Sequence, residues 1–152
     1  MTHPDLENTS RILSDLIGFE TISSDSNQAM IAYLAERLED HGADIIIDES
    51  PCGNKANLFA TLGDINTPGI MLSGHTDVVP VADQDWSRDP FTMTEQDGLI
   101  YGRGSCDMKG FIAACMGQLD RLAAASAHQP IHFAFTYDEE TGCMGAAHLA
   151  ET

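Results

Sequence analysis

Short apolar runs of strand length alternate with amphipathic segments of helical length, and this alternation most constrains the fold of the chain. The strand-length runs cover residues 45–47, 57–62, 69–73 and 131–137. Helical spacing of apolar residues covers 10–18, 26–42, 111–123 and 144–150, with Thr9 or Ser10 as the predicted cap of the first helix. Interleaved helices and strands are typical of the α/β class. The run 69–73 is nearly all apolar, which predicts a strand covered on both faces.

The charge balance limits the partners that the chain can have. There are 24 acidic residues against 7 basic ones, a formal net charge of −17. So acidic a surface repels nucleic acid and anionic membranes, and we expect neither as a partner. No apolar run approaches the roughly 20 residues of a membrane span. The first residues lack the pattern of a secretory signal, and none of the four cysteines forms a Cys-x-x-Cys pair, so we expect a cytoplasmic protein with reduced thiols.

Glycine-flanked polar segments follow the predicted strands at equivalent places. Residues 74–77 follow the run 69–73, residues 138–140 follow the run 131–137, and residues 102–107 open a helix. In open α/β sheets the ligand crevice lies beyond the carboxyl ends of the strands. Imidazole and carboxylate ligands suit zinc, manganese, cobalt or iron better than calcium. The spacing therefore predicts a metal site at this edge.

Each of these residues also has an ordinary structural interpretation. His75 alone could be a hydrogen-bonded core histidine, and Asp107 could cap the helix that follows it. Glu139 and Glu140 could be solvated carboxylates after a strand, and Lys109 could be a surface cation. These interpretations weaken when the residues are taken together, because independent surface carboxylates have no reason to gather beside glycines at strand ends.

Four ordered motifs, residues 75–80, 86–91, 102–110 and 138–140, resemble the dinuclear-zinc aminoacylase/carboxypeptidase family. The resemblance implies a three-layer, zinc-peptidase-like catalytic domain with a mixed, mostly parallel sheet between helices. It also implies that residues 1–152 are a truncated, N-terminal part of that domain. The lid or dimerisation domain and the C-terminal part of the catalytic domain would then lie outside this sequence, which stops within an apparent helix.

The family resemblance also implies roles for five residues. His75 would ligate one metal ion, Asp107 would bridge two, and Glu140 would ligate the second. Asp77 would orient the His75 ring, and Glu139 would be the general base that takes a proton from the attacking water and passes it to the leaving amine. The implied cofactor is a pair of divalent ions, zinc with cobalt or manganese as alternatives, and the complete site needs ligands beyond residue 152.

Two local features of the backbone are also expected. The family resemblance implies a cis peptide bond between Asp107 and Met108. Neighbouring residues of a strand point to opposite sides, so Glu139 and Glu140 can share one site only if the chain turns there, which Thr141-Gly142 permits.

The implied reaction is hydrolysis of the amide bond of a small N-acyl amino acid. Segments 106–111 and 137–143 are most similar to acetylornithine deacetylases, while succinyl-diaminopimelate desuccinylases and related carboxypeptidases or dipeptidases remain alternatives. The full-length protein would be a homodimer, and the isolated chain would be inactive or nearly so. The alternative outside enzymes is an acidic metal-binding module.

Overall fold

The computed structural model describes residues 4–151 of the chain. Its helices and strands follow the predicted alternation. The helices are α1 (Pro4–Gly18), α2 (Gln28–Asp40), α3 (Lys109–Gly117), α4 (Leu119–Ser126) and α5 (Met144–Leu149). The strands are β1 (Asp44–Glu49), β2 (Ala56–Leu62), β3 (Ile70–His75), β4 (Thr94–Gln96), β5 (Leu99–Tyr101) and β6 (Ile131–Thr136).

The helix boundaries differ from the predicted ones in three places. The first helix is already formed before Thr9, and Asp5 and Glu7 put negative charge in its first turn, where the helix dipole favours it. The predicted long helix is two helices, α3 and α4, separated at Gln118. The last helix ends at Leu149, one residue before its predicted end at residue 150.

The main sheet has the strand order β1-β2-β6-β3. The pairs β1–β2 and β2–β6 are antiparallel, and the pair β3–β6 is parallel. The mixed α/β class is therefore confirmed, but the expectation of a mostly parallel sheet is wrong for the described strands. The short connection between β1 and β2 is the physical reason, because only antiparallel neighbours can be joined by so tight a turn.

One face of the sheet carries the core, and the other is only partly covered. Leu58, Phe133 and Phe135 are fully buried in one cluster with apolar residues of α1, α2 and α3. On the opposite face α5 borders a groove whose walls include Phe59 and Met71. The layers are thus helices, sheet and one short helix.

The edge strand β3 is less covered than its apolar sequence predicts. Ile70 and Met71 are 54% and 55% exposed. The prediction of a strand covered on both faces is therefore wrong within residues 4–151.

A close approach between helices and a tight hairpin turn each depend on a glycine. A Cβ on Gly117 would collide with Thr9 Oγ1, so glycine lets α3 pack directly on α1. The small hairpin β4–β5 turns through Asp97 and Gly98, both with positive φ, as a two-residue hairpin turn requires.

Within the described part of the chain, no helix is both long and apolar enough to cross a membrane.

Candidate metal centre

The parallel pair β3–β6 delivers two of the predicted segments to one edge of the sheet. His75, the last residue of β3, is in register with Thr136, the last residue of β6. The chain continues from β6 directly into Glu139 and Glu140. The sequence prediction that these segments meet beyond the strand ends is confirmed by the register.

His75 is buried, and each nitrogen of its ring has a partner. Nδ1 lies 2.9 Å from the backbone carbonyl oxygen of Asp77 and 3.4 Å from Asp77 Oδ1. Since a carbonyl oxygen only accepts, Nδ1 carries a proton and donates it. Nε2 lies 2.9 Å from Asp107 Oδ1 and 3.8 Å from Glu139 Oε2. Nε2 can therefore donate to Asp107 or, as neutral imidazole, offer its lone pair to a cation.

Glu139 and Glu140 lie in a turn, as their shared site requires. The strand has ended at Thr136, Asp138 has a φ of 55°, and the amide of Gly142 donates to the carbonyl of Glu139 at 3.1 Å. This turn directs the side chains of Glu139 and Glu140 towards His75. Ligand atoms of His75, Glu139 and Glu140 lie within 4.8 Å of one another.

Asp77 holds this turn through its backbone amides. Its carboxylate accepts hydrogen bonds from the Glu139 amide at 3.0 Å and the Glu140 amide at 3.3 Å. Its side chain is 3% exposed. The residue that the sequence predicts as the orienter of His75 therefore also contacts the backbone of both glutamates.

Asp107 is exposed and lies beside this group, in contact with His75. Its side chain is 74% exposed, and the peptide bond to Met108 is cis, which confirms that expectation. Met108 occupies the cap position of α3, with no side-chain hydrogen bond to the helix. The alternative that Asp107 caps this helix is therefore excluded, and its carboxylate remains directed at His75.

The electrostatics follow from this packing. Burial lowers the pKa of His75, but hydrogen bonds to Asp77 and Asp107 and the charge of Asp77 outweigh it and raise the pKa to about 9. Burial opposes ionisation of Asp77, yet the hydrogen bonds that it accepts hold its pKa below the usual value. Burial, then the charge of Asp107, raises the pKa of Glu140. A cluster that concentrates negative charge around one imidazole favours a bound cation.

Sequence reasoning missed the buried residues that surround this group. The alternative interpretation of Lys109 as a surface cation is wrong, because it is fully buried and its ammonium donates to the carbonyl of Phe19 at 2.6 Å. Burial lowers its pKa to about 8. Ser23 and Lys55, both buried, lie behind the glutamate turn. Only Asp138 carries a local signal, since it directly precedes Glu139.

The donor set fits a borderline divalent cation. One imidazole nitrogen and carboxylate oxygens are ligands that zinc accepts. The nitrogen away from the cluster is held by a backbone carbonyl, which fixes the ring orientation in the way that histidine ligands require. The arrangement is that of a site for a divalent metal ion at the strand ends of an α/β fold.

Comparison with known proteins gives the family. The sequence profile described as Peptidase family M20/M25/M40 matches residues 71–152. A stretch of 128 residues is 41% identical to the acetylornithine deacetylase of Shigella sonnei (strain Ss046), covering 84% of this chain and 33% of that protein. The chain belongs to this peptidase family.

Solved structures agree on the fold. Human carnosine dipeptidase 1 superposes with a TM-score of 0.80 at 27% identity, over 95% of this chain and 35% of its own. An M20 family metallo-carboxypeptidase from Sulfolobus solfataricus gives 0.78 at 23% identity, over 99% of this chain and 34% of its own. The chain spans about a third of the length of these relatives.

Proposed function

We propose that this chain is the N-terminal part of the catalytic domain of an enzyme that hydrolyses the amide bond of an N-acyl amino acid. The particular reaction proposed is that of an acetylornithine deacetylase, N-acetyl-L-ornithine and water giving L-ornithine and acetate, a step of arginine biosynthesis. The observation that carries the proposal is the group of His75, Glu139 and Glu140 within 4.8 Å, at the strand edge where Asp107 also reaches His75.

Two divalent ions, zinc by preference and cobalt or manganese as alternatives, are the proposed cofactor. His75 would hold one ion, Glu140 the other, and Asp107 both. When bound, the ions would polarise the scissile carbonyl and lower the pKa of the attacking water. The exposed carboxylate of Asp107 supports a shared role, because ions can reach it from the solvent.

Glu139 is the proposed general base. Its side chain is 46% exposed, so water and substrate can reach it, while its backbone amide is fixed by Asp77. In this role the Glu139 carboxylate takes a proton from the attacking water and later gives it to the amine nitrogen of the leaving amino acid. Asp77 acts without touching substrate: it holds the His75 ring and the turn that carries both glutamates.

The remaining metal ligands, the lid and the dimer contact are proposed to come from chain beyond residue 152. The short share of the relatives that this chain covers supports this division. We further propose a cytoplasmic homodimer that acts on a small molecule and binds neither nucleic acid nor membrane. The purified 152-residue chain should then show no deacetylase turnover, and turnover by it would contradict the division.

Substrate choice is tested on the complete enzyme that contains this chain. The kcat/KM for N-acetylornithine should exceed that for succinyl-diaminopimelate and for dipeptides. A preference for either alternative would assign the enzyme to that reaction instead. Metal binding without turnover of any acyl amino acid or dipeptide would favour the acidic metal-binding module.

The base is tested by Glu139→Gln in the same enzyme. The variant should keep its bound metal and lose turnover by about a hundred- to ten-thousand-fold, the usual contribution of a positioned base. Glu36→Gln, an exposed carboxylate on α2, is the matched control and should behave as wild type. Retained turnover in Glu139→Gln would reject the assignment.

A further inference from the structure

The glutamate turn lies outside the sheet and depends on side chains for its position. β6 ends at Thr136, and residues 137–140 form no strand pairing. The directions of the Glu139 and Glu140 side chains are therefore set by whatever holds residues 138–140. Asp77 holds two amides of this turn. A second support comes from a part of the chain far away in sequence.

Lys55 provides that second support. It directly precedes β2, 83 residues before Asp138, and is 8% exposed. Its ammonium donates to Asp138 Oδ1 at 2.6 Å and to the backbone carbonyl of Ser23. The paired side chains of Lys55 and Asp138 are only 10% and 16% exposed. This is a largely buried ion pair, in which removal of one partner leaves the other charge uncompensated.

Ser23 joins the two supports into one structure. Its hydroxyl donates to Asp77 Oδ2 at 2.7 Å, while its carbonyl accepts from Lys55. The four residues Ser23, Lys55, Asp77 and Asp138 form what we call the turn clamp. The clamp contacts the turn through the ion pair at the Asp138 side chain and through hydrogen bonds from the amides of Glu139 and Glu140. Within residues 4–151, no hydrogen bond or ion pair joins the Lys55 side chain to His75 or to the carboxylates of the two glutamates.

We propose that Lys55 and Ser23 are positioning residues that hold Glu139 and Glu140 in the direction that metal binding and proton transfer need. The proposal rests on the function proposed above. Without the Lys55 ammonium, Asp138 and the Ser23 carbonyl lose a donor in a buried environment, so the turn relaxes towards water. The carboxylates then no longer converge on His75. Lys55 acts here through Asp138 and Ser23, not by contact with substrate.

The test uses the complete enzyme and measures metal binding apart from turnover. Zn²⁺ affinity is measured by chelator competition, and the absorption spectrum of the Co²⁺-loaded protein reports ligand geometry. Lys55→Met should lower Zn²⁺ affinity by about 10- to 100-fold, as loss of a group that supports ligands does, and should change the Co²⁺ spectrum. Its kcat should fall more than its KM rises.

Two further variants separate positioning from stability. Lys55→Met combined with Asp138→Asn removes the buried unpaired charge, and asparagine tolerates the positive φ at that position. This double variant should regain thermal stability but not Zn²⁺ affinity. Leu34→Ala, in the fully buried core of α2, should lose thermal stability with its Zn²⁺ affinity and Co²⁺ spectrum unchanged.

The outcomes separate a failure of the positioning role from a failure of the proposed function. Wild-type Zn²⁺ affinity in both Lys55 variants, or affinity that returns with stability in the double variant, would overturn the positioning role. So would a loss of affinity in Leu34→Ala equal to that in Lys55→Met. A complete enzyme that binds Zn²⁺ but turns over no acyl amino acid would overturn the proposed reaction, and the affinity and spectrum would still decide the clamp.

Discussion

The two sides of the metal centre differ in how firmly the protein holds them. On the buried side, Asp77 is 3% exposed and its carboxylate accepts a hydroxyl and two amides. On the open side, Asp107 is 74% exposed, and its carboxylate contacts the His75 ring. Residues that fix geometry are thus buried and saturated with hydrogen bonds. Asp107 and Glu139, which are proposed to meet ions and substrate, remain accessible, whereas the proposed ligand His75 is buried.

Substitution of Asp77, on the buried side of the metal centre, should have the largest effect on Zn²⁺ affinity and on stability. Asp77→Ala leaves the amides of Glu139 and Glu140 without their acceptor and frees the His75 ring. Zn²⁺ affinity of the complete enzyme should fall by about 10- to 100-fold, and the free energy of unfolding by about 1–3 kcal/mol. Chelator competition and urea unfolding measure the two quantities.

The control for Asp77 is another aspartate with similar local bonds on the surface. Asp89 accepts from the Phe91 amide at 2.9 Å and from Thr92 Oγ1 at 2.8 Å, but it is exposed. Asp89→Ala should leave Zn²⁺ affinity unchanged. Equal losses of affinity in both variants would show that burial beside the turn does not matter.

Lys109 offers a test of burial through the pH dependence of the free energy of unfolding. Its pKa is lowered by burial from 10.5 to about 8, so between these values the unfolded chain binds more protons than the folded one. Stability from this group is therefore fully present above pH 10.5 and is lost as the pH falls through about 8. The free energy of unfolding of wild type relative to Lys109→Met should rise across this window by about 1.4 kcal/mol per pH unit.

The measurement for Lys109 is urea unfolding of both proteins at several pH values between 7 and 11. Subtraction of the Lys109→Met curve removes the contribution of other groups that titrate in this range, among them Cys115, whose pKa burial raises to about 11. Parallel curves for the two proteins would show that Lys109 titrates normally, against its burial.

Asp107 should give the smallest effect on stability. Because its side chain is exposed, Asp107→Asn after chelation should change the free energy of unfolding by no more than about 0.5 kcal/mol, as surface substitutions do. Zn²⁺ affinity should nevertheless fall if the carboxylate is a shared ligand. A large loss of stability with unchanged affinity would reverse the roles of the two sides.

The position of the site could be predicted because local patterns encode it. Apolar runs that end in glycine, histidine and carboxylates place those groups at strand ends, and Thr141-Gly142 marks the turn that brings Glu139 and Glu140 together. The hairpin of β4 and β5 is local in the same way, because Asp97-Gly98 is a typical pair for a two-residue hairpin turn. Such features depend on neighbours a few residues apart.

The support behind the site could not be predicted, because it depends on contacts between distant residues. Lys55 meets Ser23 across 32 residues and Asp138 across 83, with no periodicity to indicate either contact. Lys109 resembled a surface cation because burial of a lysine depends on the packing of α1, which no local pattern contains. The direction of β2 against β6 and the exposure of Met71 likewise follow from the assembled sheet.

The most direct test of the account is the location of zinc in crystals of the complete, zinc-loaded enzyme by anomalous scattering. Two anomalous peaks are expected at the carboxyl ends of β3 and β6. His75 Nε2 should ligate one ion, Glu140 the other and Asp107 both, while Glu139 should ligate neither. Peaks elsewhere, a single ion without Asp107, or Glu139 at the ligand distance of about 2.0–2.2 Å would contradict this expectation.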